Sequence, residues 1–345
     1  MKSFTPGRRR ALAALALAVV AAPAFLVAQA GQINGAGATF PAPIYTKWFS
    51  DYGKLKGVAI NYQPQGSGAG IRQLTNQTVF FGATDTPMST DQMQAAPGKI
   101  VHLPTVLGAV VPVYTLPGVG ELKFTGPLLA DIFMGKVTKW NDPAIGKLNA
   151  GVKLPDQEIT VVHRSDGSGT TFIFVDFLSK VSPEWKKTVG ANASVKWPVG
   201  LGGKGNEGVT ATVQQTPGAI GYVELVYALQ NKLTYGTVQN AAGEFVKAST
   251  DSVTAAAAAA AKQMPADFRV SITNAPGKGA YPISSFTWLL LYENPKDKAQ
   301  SKAMVEFMKW ALTDGQKQAA ALGYAPLPAD VIKLEMAALA TIKVS

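Results

Sequence analysis

Ile159-Thr-Val-Val-His-Arg-Ser-Asp-Gly-Ser-Gly-Thr-Thr-Phe-Ile-Phe-Val-Asp-Phe-Leu178 reads in three pieces. Residues 159–164 are mostly apolar and β-branched and close on Arg164, which predicts a strand. Ser165 to Thr170 is a turn of small and hydroxyl-bearing residues. Phe172, Ile173, Phe174, Phe177 and Leu178 then recur at helical spacing. A strand, a glycine-rich turn and a helix form the building unit of α/β folds with parallel sheets. In such folds the turn lies at the strands' carboxyl edge, where ligands bind.

The same unit recurs on both sides. Asn34-Gly-Ala-Gly-Ala-Thr-Phe-Pro41 is a glycine-rich loop leading into a helix that carries Ile44, Tyr45, Trp48 and Phe49 on one face. Residues 58–63 read as a strand, followed by Gly66-Ser67-Gly68-Ala69-Gly70 and a helix through Ile71, Leu74 and Val79. Residues 80–84 are a short strand ending at Asp85, with a helix after Pro87. Further strands are expected at residues 100–103, 108–114, 219–223, 270–273 and 281–291. Helices are expected within 125–140 and at 255–261, 298–312 and 330–342. No regular repeat is present. The fold class is therefore α/β, with mainly parallel sheets flanked by helices.

Three of these turns have the chemistry of an anion site. A helix N-terminus offers unpaired N–H groups and partial positive charge, glycine permits close approach, and Ser and Thr add donors. Ala38-Thr39-Phe40, Gly66-Ser67-Gly68 and Asp166-Gly-Ser168-Gly169-Thr170 fit this description, although each alone reads more readily as an ordinary helix cap. Arg164 supplies a planar fork suited to a tetrahedral oxyanion, with Asp166 two residues on to orient it. The other reading of this pair is a purely structural one. Asp85 would repel an anion unless that anion carries a proton to donate, in which case a carboxylate is the best acceptor. Its alternative is to cap the helix after Pro87.

Outside the site, the first thirty residues have the form of a signal peptide. Lys2, Arg8, Arg9 and Arg10 precede an apolar run to about Val27, and Ala28-Gln29-Ala30 ends it, with cleavage expected after Ala30. A membrane anchor is the alternative, against which stand Pro23 and the small-residue site. The consecutive arginines leave both the general and the twin-arginine export routes open. No later stretch is long and apolar enough for a span, so the mature chain is expected to be soluble. Cysteine is absent, which excludes disulfides, thiolate metal sites, a cysteine nucleophile and a lipid-modified N-terminal cysteine. Removing the leader takes away four of the 32 basic residues and none of the 22 acidic ones, lowering the formal charge from +10 to +6. That field favours anions, but no basic-aromatic cluster or nucleic-acid motif accompanies it.

Five segments together carry a resemblance. Ala36-Gly-Ala-Thr-Phe-Pro-Ala-Pro43, Phe81-Gly-Ala-Thr-Asp85, Arg164-Ser-Asp-Gly-Ser-Gly-Thr170, Trp197-Pro-Val-Gly-Leu-Gly-Gly-Lys-Gly-Asn206 and Pro217-Gly-Ala-Ile-Gly-Tyr-Val-Glu224 resemble the phosphate-binding subunit of bacterial high-affinity phosphate ABC transporters, in order and over nearly the whole mature chain. The resemblance implies a two-lobed periplasmic binding protein (type II-like) with a hinge. One lobe would comprise residues 31–105 with 283–345 and the other residues 106–282, after a signal peptide at 1–30. It implies inorganic phosphate as ligand, held by Thr39, Phe40 (through its backbone N–H), Ser67, Asp85, Arg164, Asp166, Ser168, Gly169 and Thr170. It further implies a periplasmic monomer that docks on transmembrane permease subunits whose ATPase partners are cytoplasmic. No cofactor, metal or nucleic acid is expected. Two departures stand out: Gly68 lies where relatives commonly carry a second serine, and Phe80 where they are often acidic.

Other functions fit the residues less well. Ser168 lies on a strand-to-helix turn, but Gly-Ser-Gly-Thr is not a nucleophile elbow. His163 should point away from Arg164 on the same strand, leaving no base for hydrolytic chemistry. Gly203-x-Gly-x-x-Gly208 matches a dinucleotide fingerprint only formally and reads as a structural loop. A binding protein for sulfate, arsenate or phosphonate is the closer competitor. Asp85 disfavours sulfate but not arsenate. A surface-adhesion role is a third class, marked by the absence of any phosphate-dependent stabilisation.

Overall fold

The computed structural model describes residues 31–261 and 264–345 together with Met1. The expected signal segment beyond Met1, with Ala28-Gln29-Ala30, lies outside the described residues. No described helix is long and apolar enough to cross a membrane.

The strand, turn and helix of residues 159–178 form as read. The strand Thr160–Arg164 runs into a turn, and Ser168 caps the helix Gly169–Val181 by accepting a hydrogen bond from the Thr171 N–H. Ile173, Phe174, Phe177 and Leu178 turn inward and are fully buried. The first helix, Ala42–Lys56, buries the expected face of Ile44, Tyr45, Trp48 and Phe49. Burial of such large side chains stabilises each helix by roughly 1.5–3 kcal/mol per residue relative to exposure.

The main sheet orders its strands as Ile60–Pro64, Ile33–Gly37, Phe81–Thr84, Ser284–Tyr292, Ile100–Tyr114, Ala219–Glu224, Thr160–Arg164 and Leu201–Gly203, with Thr234–Tyr235 added at the end of the long strand. A separate three-stranded sheet joins Phe245–Val246, Thr237–Gln239 and Lys123–Phe124. The two wings of the main sheet are parallel, but its centre is not. Ser284–Tyr292 runs antiparallel to both neighbours, and the long strand runs antiparallel to Ala219–Glu224. The sheet is thus mixed, not mainly parallel. Its strand-turn-helix units build the wings, whereas the two central strands traverse the molecule and need no crossover helix of their own.

Two expected strands, at 100–103 and 108–114, are one strand of 15 residues, Ile100–Tyr114. Pro104 suggests a break because it lacks an N–H, yet it sits where the ladder is already irregular. Register passes from Trp288 opposite Pro104 to Thr287 opposite Val106, which leaves Thr105 as an extra residue on the long strand. The Thr105 hydroxyl donates to the Thr287 carbonyl at 3.2 Å. The strand expected at 270–273 does not form. Ser271 and Thr273 instead engage Asp176 and Lys180 on the helix Gly169–Val181 through side-chain hydrogen bonds.

Candidate functional site

Four helices begin at one place between the two wings: Ala42–Lys56, Ser67–Thr75, Gly169–Val181 and Gly205–Gln215. Three of these starts have no side-chain cap from the N-cap residue; the helix Gly205–Gln215 instead gives its first two N–H groups to Asp166 Oδ1 and Thr39 Oγ1. Their partial positive charges point at one volume.

Arg164 emerges from the end of its strand into this volume and is buried, the one Lys or Arg side chain so placed among the described residues. Its Nε donates to Asp166 Oδ1 at 2.8 Å and its Nη2 to Asp166 Oδ2 at 2.6 Å, a two-bond fork, while Nη1 reaches Thr170 Oγ1 at 3.3 Å. Burial alone would raise the Asp166 pKa. The Arg164 fork and the Gly205 N–H at 3.0 Å outweigh it and hold the carboxyl below its ordinary value. Asp166 is therefore an anion that orients the guanidinium and leaves one proton on each of Nη1 and Nη2 for another acceptor.

Asp85 faces this group from the other wing and is 1% exposed. Its Oδ1 accepts from the Thr287 hydroxyl at 2.8 Å, and Ser67 Oγ lies 3.4 Å from Oδ2. Burial dominates its titration and pushes its pKa up to about 7, against the opposing pull of Thr287, the Arg164 charge and Ser67. The two readings of Asp85 separate here. The helix Thr90–Ala95 is capped by Ser89 in a reciprocal box with Gln92, not by Asp85.

Ser67 and Gly169 meet across the gap, the Gly169 N–H donating to Ser67 Oγ at 3.1 Å. Gly68 N–H donates to the Gly167 carbonyl at 2.9 Å, a second backbone contact between the wings. A Cβ at Gly68 would stand 3.2 Å from Gly167 Cα. Ser168 is fully buried; its oxygen accepts from Thr171, which leaves its proton to donate. Phe40 packs its ring into the core and its carbonyl accepts from Tyr324 at 2.7 Å. Its N–H has no hydrogen-bond partner among the described residues. Thr39 is buried as well. All nine expected residues thus fall together.

Four more contributors were not expected. Asn206, fully buried, donates from Nδ2 to both Thr39 Oγ1 at 2.8 Å and Thr170 Oγ1 at 3.2 Å. Thr287 holds Asp85. Tyr227 donates to the Thr39 carbonyl at 2.6 Å, and the Tyr222 hydroxyl accepts from the Arg164 N–H at 3.1 Å. Asn206 lies in the loop read as structural, and its place inside a quoted motif was the available signal. Neither histidine joins the site: His163 stacks on Trp197 with ring centroids 4.8 Å apart, and His102 accepts from the Met88 N–H. Among the described residues no group of three or more His, Cys, Asp or Glu could hold a metal ion.

The raised Asp85 pKa has a stability consequence. A carboxyl whose folded pKa lies above its unfolded value binds more protons when folded, so its contribution is full below about pH 4 and is lost as pH rises through about 7. The span corresponds to about 4 kcal/mol. Glu224 and Glu335, also raised by burial, act in the same direction, while His102, lowered to about 4 chiefly by burial, acts in the opposite one. Thermal melts of the ligand-free protein between pH 4.5 and 8 should show stability declining with pH, and Asp85→Asn should flatten that decline. An unchanged slope in the variant would contradict the assignment.

Comparison with known proteins agrees with this architecture. A family described as "PBP superfamily domain" matches residues 27–315. The phosphate-binding protein PstS of Xylella fastidiosa is 51% identical over 304 residues, covering 88% of this chain and 83% of its own. PstS of Pasteurella multocida is 48% identical over 322 residues, covering 93% of each. Among solved structures, a high-affinity periplasmic phosphate-binding protein bound with phosphate superposes with a TM-score of 0.72 at 22% identity, over 90% of this chain and 93% of that one. At that identity the likeness speaks for the two-lobed α/β fold.

Proposed function

This chain belongs to the phosphate-binding protein family of PstS, within the PBP superfamily, and from that premise we propose that it captures inorganic phosphate in the periplasm and delivers it to the permease of an ABC importer. The role is binding and delivery, not catalysis. The observation that carries this reading is the pairing of a buried donor set around Arg164 with a buried carboxyl acceptor, Asp85. Thr39, Phe40, Ser67, Ser168, Gly169 and Thr170 supply the remaining donors, and Asp166 holds the guanidinium. A phosphate monoanion or dianion satisfies both halves, accepting from the donors and giving its proton to Asp85. Sulfate has no proton to give.

The two lobes are taken as residues 31–105 with 283–345 and residues 106–282, and the extra residue Thr105 lies where the long strand would bend between them. Phosphate meets one lobe first, closure adds the donors of the other, and the closed monomer is the form the permease recognises. The leader at residues 1–30 is removed on export.

Calorimetric titration of ligand-stripped protein at pH 8, with phosphate and then sulfate at matched ionic strength, tests the reading. One-to-one phosphate binding with no sulfate heat is expected. Asp85→Asn should narrow the phosphate-to-sulfate preference by about 100-fold, the scale of a buried charge with no partner. A preference left unchanged in this variant would remove the proton-based account of selectivity; folded protein that ignores phosphate would remove the function.

A further inference from the structure

Asn206 occupies the first turn of the helix Gly205–Gln215 and its side-chain orientation is fixed at both ends. Its Oδ1 accepts from the Glu224 N–H at 2.9 Å, so Nδ2 must face the other way. Nδ2 has two protons, one directed to Thr39 Oγ1 and one to Thr170 Oγ1. Each threonine oxygen also receives a second donor: the Asn206 backbone N–H at 3.2 Å for Thr39, and Arg164 Nη1 at 3.3 Å for Thr170. A hydroxyl has two acceptor positions and one proton. With both acceptor positions filled, each threonine retains only the ability to donate.

We infer that Asn206 is a positioning residue that sets the polarity of the site, forcing the Thr39 and Thr170 hydroxyls, one from each wing, to present their protons to the ligand. The inference rests on the phosphate reading above. It explains why an amide, and not a carboxylate, stands between two hydroxyls. An aspartate of the same shape would accept from both threonines, turn their protons away from the ligand and add a repelling charge. It also ties the two wings together, because one amide can serve both threonines only when they are brought to the same side chain.

A double-mutant cycle tests this, with phosphate titrated at pH 8 into the parent, Asn206→Ala, Thr39→Val and the double variant. Each single change is expected to weaken phosphate binding about 30-fold, the effect of losing one buried hydrogen-bonding group. The double variant should lose only about 100-fold, far less than the product of the two, because Asn206 acts through the Thr39 hydroxyl. Losses that multiply would overturn the assignment and leave Asn206 a packing residue. Asn206→Asp, which keeps the side chain's shape and so guards against a folding defect in the alanine variant, runs through the same cycle and should again be sub-multiplicative with Thr39→Val. A parent that binds no phosphate sinks the underlying function; a parent that binds, with independent losses, sinks only the role of Asn206.

Discussion

Arg164→Ala is expected to weaken phosphate binding by about 1,000-fold or more, the scale of breaking a buried ion pair at about 3–5 kcal/mol. Arg164 is buried on a strand end and has its orientation dictated by Asp166. Its loss removes the site's one buried cation among the described residues. It also leaves Asp166 with the Gly205 N–H but without the charge that offsets its burial. Asp85, whose pKa Arg164 helps to hold down, would shift further upward. The site would therefore face a dianion with no fixed positive charge. Arg164→Lys keeps the charge but not the fork, and should fall between the parent and the alanine variant. Titration calorimetry with circular-dichroism melts of each variant separates lost affinity from lost folding. Folded Arg164→Ala that binds within tenfold of the parent would contradict the central place given to this residue.

Gly169→Ala should be nearly as damaging, for a steric reason. A Cβ at Gly169 would stand 2.6 Å from Asp85 Cβ, Asp85 Oδ2 and Ser67 Oγ, which belong to the opposite wing. Asp85 Cβ is fixed to its backbone and cannot swing aside, so the two wings cannot approach as they do here. The expected result is phosphate binding at least about 100-fold weaker, in the range of overpacking a close contact at about 1–3 kcal/mol together with the donors lost when the gap stays open. Small-angle scattering should show no phosphate-induced compaction. Gly146→Ala, where the added methyl meets nothing within 4 Å, is the matched control and should bind normally. Compaction in Gly169→Ala equal to the parent's would sink the argument.

These residues were readable because their signals are local. Arg164 through Thr170 fall in seven consecutive positions, and the strand-turn-helix pattern places them at a sheet edge without tertiary information. Thr39, Ser67 and Asp85 follow the same logic. Thr287 could not be read this way. It lies inside a uniformly buried strand and reaches Asp85 only through pairing between segments 202 positions apart. Asn206 sits in a glycine-rich stretch, read as a loop but forming the start of a helix, whose spacing carries no signal for a donor, and its role exists only once three separated segments converge on it. The antiparallel centre of the sheet was hidden for the same reason, since strand order depends on partners far along the chain. The strand expected at 270–273 had the right composition, but its hydroxyls found Lys180 and Asp176.

The long strand Ile100–Tyr114 has a consequence for how the chain reaches this state. Ile100 pairs with Tyr292 and Val110 with Glu224, so its neighbours emerge from the ribosome long after it does. The wing formed by residues 33–84 can assemble locally, but the middle of the sheet must wait until the polypeptide is nearly complete. Such high contact order slows folding and keeps the nascent chain open. It also means that a product truncated ahead of Ser284 would leave one edge of an apolar strand bare, a template for aggregation and not a smaller working receptor.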